Sequence, residues 1–187
     1  MQQEGTIIEK KQLRGKQIKA LNQNKDKTAE EAKQLLAKLL KTPEWQQAKT
    51  IATTVSGPFE VPTKPIIEAA QNAGKKVYLP KTMPHRQMAF LLFTDYEDLV
   101  KSDFSIPEPV YNEDNLNQKP DLVIVPGLAF AKDSNYRVGF GGGYYDRFLA
   151  QYKGKTVALV PSTMEFTSVD WEVKDHDIRI DKLITLD

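Results

Sequence analysis

"DLVIVP" (Asp121–Pro126) holds four consecutive apolar residues between an acid and a proline. A strand with one wet face alternates apolar and polar side chains, whereas a short unbroken apolar run is expected of a strand covered on both faces. Working outward, "TIATTVS" (50–56), "KKVYLP" (75–80), "MAFLLF" (88–93), "KTVALVP" (155–161) and "KLITL" (182–186) also read as strands. Helical segments separate them. "TKPIIEAAQNAG" (63–74) has Pro65 near its start and Gly74 as its stop, and "GGYYDRFLAQYKG" (142–154) is a second helix ending at Gly154. Strands alternating with helices predict an α/β sheet with helices on both faces.

Two more helices precede the first strand. "GTIIEKKQLRGKQIKALNQ" (5–23) spaces Ile7, Leu13 or Arg14, Ile18 and Leu21 along a thin apolar stripe. "KTAEEAKQLLAKLLKT" (27–42) puts Ala32, Leu35, Leu36, Leu39 and Leu40 on one face, and Thr28 with Glu31 reads as a capping box. At 187 residues the chain is expected to form one domain over 1–187, in which residues 1–48 supply amino-terminal helices packed on the sheet. The stretch from Pro107 to Pro120 reads as a surface loop.

Composition excludes several function classes. There is no cysteine, hence no disulfide, thiolate metal site or cysteine nucleophile, and with only His85 and His176 an all-histidine zinc site is excluded too. A net charge of +1 gives no global pull toward nucleic acid or anionic membranes. The opening "MQQEGTIIEKKQLRGK" carries no apolar run of signal-peptide length, and no stretch approaches a membrane span, so a cytoplasmic monomer is expected.

The chemistry gathers in "RVGFGGGYYDRF" (137–148), which lies a loop beyond the strand at 121–126. Ligands of open α/β sheets sit beyond the carboxyl ends of strands, and glycines before a helix let backbone N–H groups approach an anion. The segment is neither a P-loop nor a dinucleotide fingerprint, because Tyr144 stands where either pattern needs another residue. Its glycines on their own equally allow a set of tight turns. Arg137 suits bidentate phosphate binding, Asp146 suits a hard metal ion, and Tyr144 and Tyr145 offer flat faces to a heterocycle. Asp146 and Arg147 also read as an exposed helical ion pair.

"PGLAF" (126–130) followed by "YRVGFGGGYYDRFL" (136–149) resembles the signature of the 5-formyltetrahydrofolate cyclo-ligase family, also called methenyltetrahydrofolate synthetase. "KKQLR" (10–14), "GPFEVPTKPII" (57–67), "KKVYLPKT" (75–82) and "HDIRIDKLIT" (176–185) match it in order and spacing. The resemblance implies a three-layer fold shared with sugar-phosphate isomerases and CoA transferases. It also implies ATP- and Mg²⁺-dependent cyclisation of 5-formyltetrahydrofolate to 5,10-methenyltetrahydrofolate through a phosphorylated formyl group. By the same resemblance Lys10, Arg14, Arg137, Gly139, Gly141, Gly142, Gly143, Tyr144 and Tyr145 bind ATP. Val55, Glu60 and Tyr144 bind the folate, Asp146 and Asp177 hold magnesium, and Arg137 and Asp146 are the catalytic pair. Family members usually carry Asp where this chain has Ala131 and Pro62, and the loop before Arg137 is longer by a residue.

Each residue has a plainer reading beside this one. Lys10 and Arg14 belong to a basic stretch with Lys11, Lys16 and Lys19 that also suits a solvated face or a nucleic-acid arm. Asp177 suits a turn, Phe59 and Trp171 suit the core, and His176 is read as structural. The competing functions are a phosphate-ligand isomerase or transferase on the same fold and a non-enzymatic nucleotide- or RNA-binding module.

Overall fold

The computed structural model describes residues 7–187. Its helices are α1 (Lys10–Gln23), α2 (Lys25–Leu39), α3 (Pro43–Gln47), α4 (Lys64–Asn72) and α5 (Tyr144–Leu149). Its strands are β1 (Thr50–Ala52), β2 (Lys76–Met83), β3 (Gln87–Leu92), β4 (Val100–Lys101), β5 (Pro107–Glu108) and β6 (Leu122–Ile124), then β7 (Ala129–Ala131), β8 (Arg137–Val138), β9 (Lys155–Leu159), β10 (Glu165–Phe166) and β11 (Lys182–Ile184).

The six strands expected from sequence form the main sheet, in the order β11-β9-β6-β1-β2-β3. All its pairs are parallel except the β2–β3 hairpin. Covering on both faces explains the unbroken apolar runs, because successive residues pack into different cores. Ile51, Val77, Leu79, Leu122, Ile124, Val157 and Leu159 face Leu35 and Leu39 of α2, Trp45 of α3, and Ile66, Ile67 and Ala70 of α4. Their neighbours Ala52, Tyr78, Val123 and Ala158 face Leu21 of α1, Leu149 of α5 and Phe130 of β7. The result is a mainly parallel three-layer α/β sheet.

Several expectations are corrected. Thr28 and Glu31 are not a capping box. Helix α2 starts at Lys25, directly after the turn at Asn24, so both residues lie within it. Glu31 instead accepts hydrogen bonds from the Ser162 backbone N–H (2.8 Å) and hydroxyl (2.7 Å), tying α2 to the segment after β9. The first helix begins at Lys10 and buries Leu13, Gln17 and Leu21, with Ile7 exposed ahead of it; Gly5 and Thr6 lie outside the described residues. The glycine-rich helix begins at Tyr144 and ends at Leu149, not Gly154. Left-handed Gly143 (φ 72°) cannot belong to it, and beyond it the Tyr152 hydroxyl donates to the Pro120 carbonyl at 2.6 Å.

The stretch from Pro107 to Pro120 is more than a surface loop. Glu108 is buried in β5, Leu116 bridges Leu91, and the Gln118 amide accepts from Phe90 N–H and donates to the Met88 carbonyl, both at 2.9 Å. The segment thereby covers the open edge of β3. A smaller sheet, β10-β7-β8, was not foreseen from the sequence; its parallel pair joins Phe130 to Glu165, segments that no local pattern links.

The Glu31–Ser162 link is testable. A double-mutant cycle of Glu31→Ala and Ser162→Ala, read by urea denaturation, should give a coupling of about 1 kcal/mol or more. A helix cap internal to α2 would give none.

Candidate active site

The topology locates the site. From β1 the chain moves to β2 on one side, whereas β6, β9 and β11 build outward on the other, so the order reverses between β1 and β6. Such a switch point leaves a crevice beyond the strand ends. The chain leaves β1 through Thr54 and Val55 and leaves β6 at Pro126, and these residues line a cleft of about 820 Å³. That volume lies within the range of small-molecule sites.

Every site residue singled out from sequence lines this one cleft: Lys10, Arg14, Val55, Glu60, Arg137, Gly139, Gly141, Gly142, Gly143, Tyr144, Tyr145, Asp146 and Asp177. They come from four distant segments. Arg137 is buried at 7 % exposure on β8. Its Nη1 donates to the Pro126 carbonyl at 3.1 Å, its Nη2 lies 3.7 Å from Asp146 Oδ2, and its guanidinium carbon is 5.6 Å from the Tyr145 ring centre. A Cβ at Gly139 would lie 2.5 Å from Nη1, so glycine there lets the guanidinium lie across the loop. Gly141 (φ 103°) and Gly143 (φ 72°) turn the loop through conformations that side chains disfavour.

Helix α1 closes one wall. Buried Gln17 donates through Nε2 to the Leu128 carbonyl (2.7 Å) and the Thr163 carbonyl (3.0 Å), docking the helix beside the loop that follows β6. One turn earlier, Arg14 Nε donates to the Gly139 carbonyl at 2.8 Å. Lys10 pairs with Asp177. Lys10 and Arg14 therefore face the cleft, while Lys16 and Lys19 remain exposed.

Electrostatics differ along the cleft. Burial would raise the Asp177 carboxyl, but hydrogen bonds from Lys10 and the Lys174 N–H outweigh it and hold the group below its ordinary range. Glu60 is pushed up by burial, opposed by the Gly57 N–H. Burial also pushes up the Tyr145 hydroxyl. Arg137 loses hydration but stays charged beside Asp146.

Among the described residues no three histidine, aspartate or glutamate side chains converge as a metal cage. Asp146 nonetheless lies against the Asp177 segment, its Oδ1 accepting from Ile178 N–H at 3.2 Å. Two carboxylates beside a cationic loop fit a magnesium ion that takes its remaining ligands from phosphate and water.

Other expectations resolve as follows. Trp171 is buried with Leu13 and Val138, and His176 is exposed at the rim. Phe59 packs near Phe140, their ring centres 6.4 Å apart. Sequence reasoning missed Phe104, Ile106 and Glu108, which the β4–β5 hairpin carries into the lining. Phe104 meets Tyr144 edge-on at 6.2 Å, and Glu108 accepts from the Thr82 hydroxyl at 3.0 and 3.1 Å. Nothing local in "SDFSIPEP" (102–109) marks these side chains, since only the hairpin's docking aims them inward.

An α/β switch-point cleft with a glycine loop, clustered cations and aromatic walls has the lining of a site for an anionic, ring-bearing small molecule. The model of the 5-formyltetrahydrofolate cyclo-ligase family matches residues 6–186, and the chain belongs to that family. It is 33 % identical over 148 residues to the 5-formyltetrahydrofolate cyclo-ligase of Haemophilus influenzae, covering 73 % of this chain and 78 % of that one. It is 32 % identical over 128 residues to the Escherichia coli K12 protein of the same name, covering 66 % and 70 %. Among solved structures, the 5,10-methenyltetrahydrofolate synthetase of Aquifex aeolicus superposes with a TM-score of 0.78 at 29 % identity, over 94 % of this chain and 89 % of that one. A Mycoplasma pneumoniae synthetase at 21 % identity shares the fold, with a TM-score of 0.70 over 95 % and 98 % of the two chains.

The Lys10–Asp177 pair yields a pH-dependent prediction. Because the folded state favours ionised Asp177, its contribution is complete above the unfolded pKa and is lost as pH falls through the folded one. Asp177→Asn should cost about 1.5–3 kcal/mol at neutral pH. The gap from the parent protein should narrow once pH drops below about 4. Denaturation curves between pH 7 and 3 measure this, and a gap independent of pH would mean that the pair contributes nothing.

Proposed function

We propose that the protein cyclises 5-formyltetrahydrofolate to 5,10-methenyltetrahydrofolate, consuming ATP and releasing ADP and phosphate. The observation carrying this reading is that Lys10, Arg14, Val55, Glu60, residues 137–146 and Asp177, which match the family in separate segments, line one cleft.

The formyl oxygen is a poor leaving group. Transfer of the γ-phosphoryl of ATP to it makes an imidate phosphate, and attack by nitrogen 10 on the formyl carbon closes the ring. Phosphate then departs carrying that oxygen, and the nitrogen 10 proton is lost. For the phosphoryl step a protein chiefly supplies position and positive charge. Arg14 and Arg137, already hydrogen-bonded to carbonyls at either end of the Pro126–Gly139 stretch, offer their remaining N–H groups to the phosphates. Lys10 adds a third cation, and the glycines leave the loop backbone bare. Magnesium, when bound, would neutralise phosphate charge, and Asp146 with Asp177 would hold it.

On the folate side, Glu60 accepts hydrogen bonds from the pterin, Val55 provides an apolar wall, and Tyr144 spans the folate and the glycine loop. Burial strengthens the Glu60 interaction because little water competes for it.

Two experiments test the reading. Protein, ATP, magnesium and 5-formyltetrahydrofolate together should generate the near-ultraviolet absorbance of the methenyl product. Omitting nucleotide or the divalent ion should abolish it, and equal product without nucleotide would sink the proposal.

The second experiment concerns Asp146. Asp146→Asn keeps the shape but removes the charge, so folate should still bind while turnover falls by roughly two orders of magnitude. Added magnesium should restore part of that turnover. Near-normal turnover with an unchanged magnesium midpoint would leave Asp146 as a structural partner of Arg137 only.

A further inference from the structure

Glu60 borders two cavities, the cleft and a much smaller one of about 30 Å³. The small cavity is walled on its polar side by Glu60, Thr53 and Thr63, and on its apolar side by residues such as Val125 and Phe130. Thr53 is 1 % exposed. Its backbone N–H prolongs the sheet by donating to the Tyr78 carbonyl at 3.1 Å, yet its hydroxyl has no hydrogen-bond partner among the described residues. The Thr63 hydroxyl accepts from Ser56 N–H at 3.0 Å and keeps its own hydrogen to donate. Glu60 receives one hydrogen bond, from the Gly57 N–H to Oε2.

A buried hydroxyl is seldom left unpaired, and a half-buried carboxylate with one protein donor has acceptor capacity to spare. The cavity has room for about one water, and its hydroxyls and carboxylate supply the two to four polar partners such a water needs. We propose that this cavity is a single-water site through which the Thr53 hydroxyl supplies a second hydrogen bond to Glu60. Thr53 is then a positioning residue for the carboxylate that faces the substrate. Its role toward the folate rests on the function proposed above; the water site itself does not.

A water donating to Glu60 favours the charged carboxylate and so opposes the upward push of burial. The Glu60 carboxylate adds to the upward push of burial on the neighbouring Tyr145 hydroxyl of α5, which is neutral where Glu60 titrates. Lys10 and Arg14 of α1, Glu108 of β5, Arg137 of β8, Asp146 of α5 and Asp177 share the cleft. Thr53→Val is nearly isosteric and alters none of them.

The test is carried out without folate. Ligand-free protein with carboxyl-labelled glutamate is titrated by NMR as parent, Thr53→Val and Thr53→Ser, with the Glu60 signal assigned from Glu60→Gln. In Thr53→Val the Glu60 midpoint should rise by about one pH unit, the shift expected for loss of a hydrogen bond to a charged group relayed through water. Thr53→Ser keeps the hydroxyl and should titrate like the parent. An unmoved midpoint in Thr53→Val overturns the proposal. A high-resolution crystal structure of the parent protein gives a reading that needs no variant. One ordered water within hydrogen-bonding distance of both Thr53 Oγ1 and Glu60 supports the proposal, and a dry cavity overturns it. Neither measurement involves turnover, so a protein that fails to cyclise 5-formyltetrahydrofolate would overturn the proposed function and leave the water site standing.

Discussion

The buried Arg137 guanidinium is the constraint around which the cleft is organised. A cation removed from water must be surrounded by acceptors and opposite charge, and losing one partner of such a group is far costlier than losing a surface pair. Here the partners are the Pro126 carbonyl at the end of β6, Asp146 and the Tyr145 face on α5, all brought within reach by the glycine loop that Arg137 itself begins. One hydrogen bond, one ion pair and one ring face on a single side chain thus tie the strand end, the loop and the short helix together, while its buried Nε is left without a partner among the described residues. Arg14 then docks from α1 on the carbonyl of Gly139, two residues beyond Arg137.

The sheet provides the frame for this arrangement. Its order reverses between β1 and β6, so the chain leaving β1 carries Val55 and Glu60 to one side of the crevice while the chain beyond β6 brings the glycine loop to the other. Gln17 explains why a helix with so thin an apolar stripe holds its place, because its buried amide replaces the missing apolar contact with two hydrogen bonds to loop carbonyls. A net charge of +1 concealed the cleft's character, since its cations and carboxylates nearly cancel in the sum, Lys10 pairing with Asp177 and Arg137 lying beside Asp146.

Much of this was legible in the sequence. The six apolar runs are the six strands of the main sheet because residues covered on both faces leave no polar alternation. Helix α4 followed from Pro65 and Gly74. The motif residues meet in one cleft, and eight of the thirteen come from a single loop with its flanking strand β8 and helix α5. What stayed hidden depends on contacts between distant segments. Thr28 and Glu31 fit a capping pattern locally, yet Glu31 answers to Ser162, 131 residues away. Glu108 looked like part of a surface loop until β5 paired with β4 and buried it. The small sheet pairs β7 with β10, segments that no local pattern in the sequence links.

Lys10 and Asp177 are partners across 167 positions of chain. Because Lys10 precedes Asp177 by 167 positions, the cationic wall of the cleft is synthesised well before its counterpart. Until then Lys10 has no acid to meet and Arg14 has no glycine-loop carbonyl to dock on before residue 139 emerges. Contacts of such separation form late, after the loop-closure entropy has been met by the core. β1, α4 and β2 are neighbours in sequence, whereas this wall of the cleft needs Lys10, Arg14, Gly139 and Asp177 together. The cleft is therefore closed by the longest-range contacts of the fold, not by its local ones.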